Sequence, residues 1–398
     1  MELYWENNGW EKEDKHLVGV TKMPFQRRWQ FVDLRPGLYS LRGPRQIGKS
    51  SWLKHLLKMQ CDTVGPKNCF FLSCENLADY KDLAEILSLY KNRKVIFLDE
   101  VTFVHDWARP VKHLIDRGFG GTIVVTGSNL HDLRMGVDRM PGRQGFGQDL
   151  LLLPMSFYEF KEARKNAGWA ELSSPELLER YFRVGGFPLA VAEAGSDSHK
   201  TTQTEKLMEK WILGDIARIG KNENYAREIL SQVGQCLCSS MSTQKLAART
   251  QIGSHHTIAD YLQVLEDMFI LRTLYSIDQD TGALRFKKEK KYYLTDPIFN
   301  KLGWKWLGLT SNEIESDKMA EQMAHEFLRR HFDRMGFLSS KKNGEVDFYS
   351  YRNWAVEIKW SKIPTNLSWT YKNLQLHHKI IWNEDNYLEL PADLATSP

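Results

Sequence analysis

Short apolar runs in the first third of the chain end on polar residues, and the segment after each run differs. "GLYSLRG" (37–43) leads into a glycine-rich stretch and then into "WLKHLLKM", where Trp52, Leu53, Leu56 and Leu57 recur at helical spacing. The order is strand, glycine loop, helix. "RKVIFLDEV" (93–101) ends on two acids, the pattern of a buried parallel strand whose carboxyl end faces a ligand. "GTIVVTGSN" (121–129) ends in Thr126, Ser128 and Asn129. Residues 171–220 read as helices, with "PELLERYFRVGGFP" closing on a glycine-proline turn. From 225 to 275 the pattern is helix, short helix "TQKLAART", turn "QIGS", helix "HHTIADYLQVLEDM" and an extended segment, the trace of a helix-turn-helix with a wing. Ile258, Leu262 and Leu265 face its core, which leaves His255, His256, Thr257 and Gln263 nearer solvent. Farther on, "DKMAEQMAHEFLRRHFDR" (317–334) places Met319, Met323, Phe327 and Leu328 on one helix face, and two strands come next, "GEVDFYSY" and "WAVEIKW".

A chain of 398 residues holds two to four domains at roughly 100 to 200 residues each. A hydrophobic fraction of 42% and a charged fraction of 26% belong to a globular protein, not to a disordered or membrane chain. No apolar run approaches the ~20 residues of a spanning helix. The start, "MELYWENNGWEKEDKH", lacks the basic-then-apolar layout of a signal peptide, so a cytoplasmic location without a membrane partner is expected. Five cysteines without a Cys-x-x-Cys pair argue against both a zinc site and a disulfide framework.

A net charge of +4 says little about partners; local patches say more. "LRFKKEKKYYL" gathers Arg285, Lys287, Lys288, Lys290 and Lys291 around one glutamate, a phosphate-binding surface for double-stranded DNA beside a helix-turn-helix. The competing reading is a solvated face, or a module that packs on a partner domain. The candidate recognition helix carries Asp260, Glu266 and Asp267, which favours that alternative.

The chemistry is densest at "GPRQIGKSS". Gly43-x4-Gly48-Lys49-Ser50 fits the P-loop, in which glycines let backbone N–H groups close on phosphate oxygens at a helix N-terminus. Gly43, Pro44, Arg45, Gln46, Ile47, Gly48, Lys49, Ser50 and Ser51 would hold ATP, with Lys49 on the β- and γ-phosphates and Ser50 on Mg²⁺. Asp99 would hold Mg²⁺ through water, and Glu100 would orient the attacking water. Thr126, Ser128 and Asn129 would sense the γ-phosphate from the neighbouring strand. Arg143, in "MPGRQGFGQ", is the candidate for an arginine acting on phosphate charge, within or between subunits; the alternative is a solvated arginine in a glycine-rich loop.

The run GPRQIGKSS, then FLDEV with a tryptophan shortly after, VVTGSN, a Gly-Arg, LPMSFYEF and YFRVGGFP resembles a prokaryotic family of AAA-type ATPases. In that family the ATPase is followed by a winged helix and by a C-terminal domain similar to restriction endonucleases. The resemblance covers nearly the whole chain. It implies an α/β fold: a parallel-sheet P-loop core (1–165), a helical lid (166–222), a winged helix-turn-helix (223–300) and a PD-(D/E)xK-like domain (301–398). Gly186-Phe187-Pro188 also resembles the Gly-x-Pro motif of signalling ATPases, and Ser50 stands where many relatives have threonine.

Side chains alternate along a strand, so Glu357 and Lys359 share one face. A three-residue loop, Tyr351 to Asn353, would set Asp347 opposite Glu357 on that face; a two-residue loop would pair it with Ile358 and turn it away. In the first register Asp347 and Glu357 could hold Mg²⁺ or Mn²⁺ against a scissile phosphate, with Lys359 positioning water. Resemblance to the nuclease fold adds Glu321 as a further metal ligand, with Glu326 as the competing choice. The bland alternative is a nuclease-like fold that only binds, its charges a hairpin salt bridge. Two functions stand side by side: an ATPase that couples nucleotide state to DNA binding and cleavage, and a signalling or assembly ATPase that binds a protein partner or forms homo-oligomers.

Overall fold

The computed structural model describes residues 3–27, 31, 33–127, 133, 136–138, 140–309, 316–340, 344–360 and 367–395. Strands β1 (Gly37–Arg42), β2 (Cys69–Ser73), β3 (Val95–Asp99), β4 (Thr122–Gly127) and β5 (Asp149–Leu151) form a parallel sheet in the order β2-β3-β4-β1-β5. β3 and β4 are buried along their whole length, which is why their sequences run apolar instead of alternating. Helices α1 (Lys15–Thr21), α2 (Lys49–Val64), α3 (Tyr80–Leu89) and α4 (Ala108–Asp116) belong to this unit, and α1 packs on α2. The order reverses between β1 and its neighbour β4, so the carboxyl ends of β1, β3 and β4 meet at one edge, the usual place for a ligand in such sheets. β3 and β4 run in register from Val95↔Thr122 to Leu98↔Val125, and the next residues along are Asp99 and Thr126.

A helical region comes next: α5 (Phe157–Asn166), α6 (Ser174–Val184), α7 (Pro188–Ala194) and α8 (Thr202–Arg218). Helices α9 (Glu223–Gln235), α10 (Thr243–Ala248) and α11 (His255–Asp267) precede an antiparallel pair, β6 (Leu271–Tyr275) and β7 (Lys290–Leu294). Ser254 caps α11 by accepting from the Thr257 backbone N–H. After α12 (Pro297–Trp306) and α13 (Ser316–His331) come β8 (Gly336–Ser340), β9 (Gly344–Ser350), β10 (Trp354–Ile358), α14 (Trp369–Asn373), β11 (His378–Trp382) and α15 (Ala392–Ala395). This second sheet has the order β11-β10-β9-β8, with β10 and β11 parallel and the remaining pairs antiparallel. The segment after β6 joins its edge: Ser276 bridges Phe337, and the Ile277 N–H donates to the Phe337 carbonyl at 2.9 Å. No described helix is long and apolar enough to cross a membrane.

Two polar joints fix these units to one another. Ser156 and Glu159 form a capping box at the start of α5, and Glu159 also pairs with Arg27 (3.0 Å) and Arg330 (3.5 Å), one from each end of the chain. The second joint is the turn Gly185-Gly186. The Gly186 carbonyl accepts from the Met155 N–H at 2.7 Å, and the Gly186 N–H donates to Asp296 at 2.7 Å. Asp296 also accepts from the Ile298 N–H at 2.9 Å, capping α12. A Cβ on Gly186 would lie 2.1 Å from the Met155 carbonyl oxygen, so the packing admits only glycine. This is the physical content of the "GGFP" signal.

Burial pushes the Asp296 carboxyl up to about 7. The folded chain therefore holds this proton more tightly than the unfolded chain, and the associated stability, full below about pH 4, is lost as the pH rises through about 7. Asp296→Asn is expected to unfold earlier than the wild type at about pH 5, having lost one acceptor, and to show a smaller fall in midpoint between about pH 5 and pH 8 in thermal melts followed by circular dichroism. Gly186→Ala is expected to cost ~1–3 kcal/mol in urea unfolding through forced overlap.

Candidate functional site

The loop after β1 is shaped by close approach. A Cβ at Gly43 would sit 2.0 Å from the Leu152 carbonyl oxygen, and Gly48, the N-cap of α2, has φ +99°. The loop thus ends in a left-handed turn that directs the N–H groups of the first turn of α2 toward the sheet edge. Lys49 is buried and folded back onto its own loop, its Nζ donating to the Gly43 and Pro44 carbonyls at 3.0 Å each and standing 3.6 Å from a Glu100 carboxylate oxygen. Burial pulls its pKa down, and the charges of Glu100 and Asp99 work against that. A phosphate has the chemistry to replace these carbonyls.

Asp99 and Glu100 are set by Thr126. Its hydroxyl donates to Asp99 at 2.6 Å and accepts from the Glu100 backbone N–H at 2.8 Å, across the register already described. Glu100 takes φ +50°, which turns it back toward Lys49. Burial raises the Asp99 carboxyl, while hydrogen bonds from Thr126 and Ser50 oppose the rise. Ser50 and Asp99 therefore bring two hard oxygen donors together, the donor chemistry that suits Mg²⁺ alongside phosphate oxygens. Thr126 was expected to sense the γ-phosphate; here it latches the two acids. Ser128 and Asn129 lie outside the described residues.

The loop opens onto a cavity of about 420 Å³, within the range of small-ligand sites. Its far wall is formed by Lys15, His16, Val20, Met23 and Phe25 from the N-terminal segment and by Pro188 and Leu189 from the start of α7. Sequence reasoning missed the N-terminal wall, because its residues follow no motif and lie 18 to 28 positions before Gly43. Arg45 pairs with Asp215 of α8 at 3.0 Å, and Phe103 packs under both Arg45 (5.3 Å) and Arg218 (4.7 Å). The phosphate loop is thereby tied to the end of a helix outside the sheet. Arg143 is corrected: it pairs with Asp116 at 2.5 Å, beside Gly37 and Gly121, at the amino ends of the strands and so on the edge away from the phosphate loop. Within one chain it does not reach the site, because the loop 141–147 runs back under the start of β1 to bridge Gly37 through Gly145.

Residues 35–161 match a family model described as an AAA domain. Over that stretch the N-terminal unit is similar to AAA domains. Residues 175–304 match the model of a domain of unknown function, DUF8612, which runs from α6 through α12 and so spans the expected lid and helix-turn-helix together. An uncharacterized protein of Haemophilus influenzae is 26% identical over 367 residues, 88% of this chain and 87% of its own length. Another, from Methanocaldococcus jannaschii, is 24% identical over 290 residues, 68% of this chain and 62% of its own. Among solved structures, a Walker-type ATPase of Pyrococcus abyssi is similar over 74% of this chain and 95% of its own, with TM-score 0.46 and 14% identity. The ORC1 protein of Aeropyrum pernix in complex with DNA is similar over 76% and 96%, with TM-score 0.35 and 12% identity. Likenesses of that size carry no inference about activity.

Beyond the N-terminal unit, the second sheet gathers charge. β9 and β10 pair Trp354↔Ser350, Ala355↔Tyr349 and Val356↔Phe348 around a loop of Tyr351, Arg352 and Asn353, and the next step sets Glu357 against Asp347. Asp347 accepts from the Ile358 N–H at 2.9 Å, and Lys359 pairs with Glu357 at 2.9 Å. Glu321, on α13, joins them and accepts from the Tyr293 hydroxyl at 2.6 Å. Glu326 does not; it lies beside His325, Arg329 and Arg272 and is held down at about 2 despite its burial.

A lysine from β7 completes the group. Lys291, 1% exposed, places Nζ 2.6 Å from Glu345, 2.8 Å from Glu321 and 3.3 Å from Asp347. This corrects one expectation: Lys291 belongs to no solvent-facing basic wing, because it shares the strand face of Tyr293, which turns inward onto Glu321. The expected metal set Glu321, Asp347 and Glu357 does come together, with an ammonium among its carboxylates; among the described residues no three of His, Cys, Asp and Glu are grouped as an ion site. Burial and the Asp347 charge push both Glu321 and Glu357 up to about 7, as expected where carboxylates outnumber ammonium groups.

Thr126→Val removes the donor to Asp99 and the acceptor for Glu100 with little change in shape. It is expected to weaken Mg²⁺-nucleotide binding by about tenfold, equivalent to ~1.4 kcal/mol, in a titration with a fluorescent ATP analogue, with the circular dichroism spectrum unchanged. Undiminished binding would mean that Thr126 does not position the acids.

Proposed function

We propose that this chain is a Mg²⁺-dependent ATP hydrolase whose nucleotide state is conveyed to its C-terminal half, and whose basic segment contacts double-stranded DNA. The observation that carries the first part is the meeting of Lys49, Ser50, Asp99 and Glu100 at one sheet edge beside the cavity. In this reading Lys49 leaves the Gly43 and Pro44 carbonyls for the β- and γ-phosphates, and the first N–H groups of α2 close on the same oxygens. Ser50 and Asp99 would hold Mg²⁺, which when bound would supply charge neutralisation to the transferring phosphoryl group. Glu100, released from Lys49, orients a water for in-line attack; ATP and water become ADP and phosphate. Arg45, bound to Asp215, supports a route by which occupancy of the loop reaches α8.

The DNA part rests on Phe286, Lys287 and Lys288, all exposed in the segment between β6 and β7. Arg285 is held by Asp278, and Lys290 lies 5.1 Å from the Tyr275 ring, so the remaining exposed positive charge of the segment lies at Lys287 and Lys288, in the turn before β7. One observation favours the second reading, a protein partner: the exposed residues of α11, His256, Ala259, Asp260 and Gln263, include no lysine or arginine to meet phosphates. Against metal-dependent cleavage stands the Lys291 ammonium, which already occupies the cluster that would hold the ion.

Glu100→Gln is expected to bind ATP like the wild type and to lower steady-state hydrolysis at least about a hundredfold, within the usual effect of removing a positioned base. Hydrolysis at the wild-type rate would remove Glu100 from its role. Lys287→Ala with Lys288→Ala is expected to weaken binding to duplex DNA and to reduce the slope of log affinity against log salt by about 1.8 for two lost phosphate contacts. No wild-type binding at low salt, across several duplexes, would leave the protein-partner reading.

A further inference from the structure

The residues that a nuclease-like reading would assign to a divalent ion are held together by a side chain from outside their own sheet. Lys291 lies on β7, in the unit preceding α12, and its Nζ lies 5.7 Å from the ring centroid of Phe337, the β8 residue that pairs with Ser276 and Ile277. Its ammonium stands within 3.3 Å of carboxylates on α13 (Glu321) and on β9 (Glu345 and Asp347). Further donors reach the same group: Tyr293 donates to the Glu321 oxygen that Lys291 also meets, the Ile358 N–H to the second Asp347 oxygen, and Lys359 to Glu357.

The charges balance around the lysine. Burial alone pulls the Lys291 ammonium down, but Glu321, Asp347 and Glu345 outweigh it and hold the group well above its ordinary value, so it is charged. A buried ammonium without such partners costs several kcal/mol, on the order found for ions in low-dielectric interiors, and removing one member of such a set is correspondingly disruptive.

We propose that Lys291 is the resident cation of this cluster: it stands in for a divalent metal, closes the site to Mg²⁺ and Mn²⁺, and clamps the β6–β7 pair to the C-terminal sheet. The C-terminal unit is then fixed to the segment that carries Lys287 and Lys288. It is not a metal-dependent nuclease. The inference stands apart from the ATPase reading, since none of its residues touches the nucleotide cavity.

The test uses the full chain without nucleotide, and Mn²⁺ alone as the probe. Mn²⁺ binding, followed by the electron paramagnetic resonance of the free ion, is assigned to the cluster only where Asp347→Asn abolishes it. The wild type and Lys291→Arg are expected to show no Asp347-dependent binding at millimolar Mn²⁺. Lys291→Ala is expected to gain one such site, to melt below the wild type without metal, and to recover part of the loss as Mn²⁺ is added. Because Lys291→Ala could fail to fold, Lys291→Met, which keeps the stem, provides a metal-free arm. Adding Glu321→Gln to Lys291→Met is expected to raise the melting midpoint, whereas Glu321→Gln in the wild type is expected to lower it. Asp347-dependent Mn²⁺ binding by the wild type would overturn the proposal, and so would Lys291→Met variants in which Glu321→Gln lowers the midpoint as it does in the wild type.

Discussion

A buried carboxylate, Asp296, connects the parts of this molecule more directly than any apolar contact. It accepts from the Gly186 and Ile298 backbone N–H groups, while Gly186 accepts from Met155 and the Tyr181 hydroxyl donates to the Met155 carbonyl at 2.9 Å. The segment just beyond the five-stranded sheet, the helical region and the start of α12 are thereby joined through backbone groups that water cannot serve. Apolar packing around it is interchangeable in detail; these donors and acceptors are not, because each missing partner would leave a buried polar group unsatisfied. Glu159, shared between Arg27 and Arg330, performs a similar service nearer the surface.

Lys49 and Lys291 are both buried among acids, and the contrast between them separates a binding site from a structural one. Lys49 spends its protons on two backbone carbonyls and one loosely placed carboxylate, beside a cavity of about 420 Å³. Those partners are neutral or weakly held, so an incoming phosphate competes well for the ammonium. Lys291 instead meets three carboxylates at 2.6 to 3.3 Å. Displacing it would strand those charges in a low-dielectric interior, a cost that a divalent ion would have to offset before it gained anything.

The phosphate end of the nucleotide site was legible in the sequence because its chemistry is local. Glycines at 43 and 48, Lys49 and Ser50 act within one strand-loop-helix unit, and the apolar runs of β1, β3 and β4 carried Asp99 and Glu100 to the same edge. The β9–β10 register was legible for the same reason, since a hairpin's pairing is decided by its own loop. What could not be read were groups brought from afar: the N-terminal wall of the cavity, the tie from Arg45 to Asp215, and Lys291 inside the C-terminal cluster.

Arg143 and Lys291 mark the boundary of such reading. Each stood in a segment whose composition suggested phosphate, one in a glycine-rich loop and one in a run of lysines. Neither suggestion contained the direction of the side chain. The loop of Arg143 returns beneath β1 to pair with Gly37, and β7 turns Lys291 away from its basic neighbours into the face occupied by α13 and β9. The sequence by itself determined the apolar strands, the P-loop and the hairpin alternation, which follow from propensity and period over a few residues. Only the tertiary structure decided which charges meet, because an ion pair between residues 30 to 56 positions apart depends on how whole elements pack, and no local period encodes that.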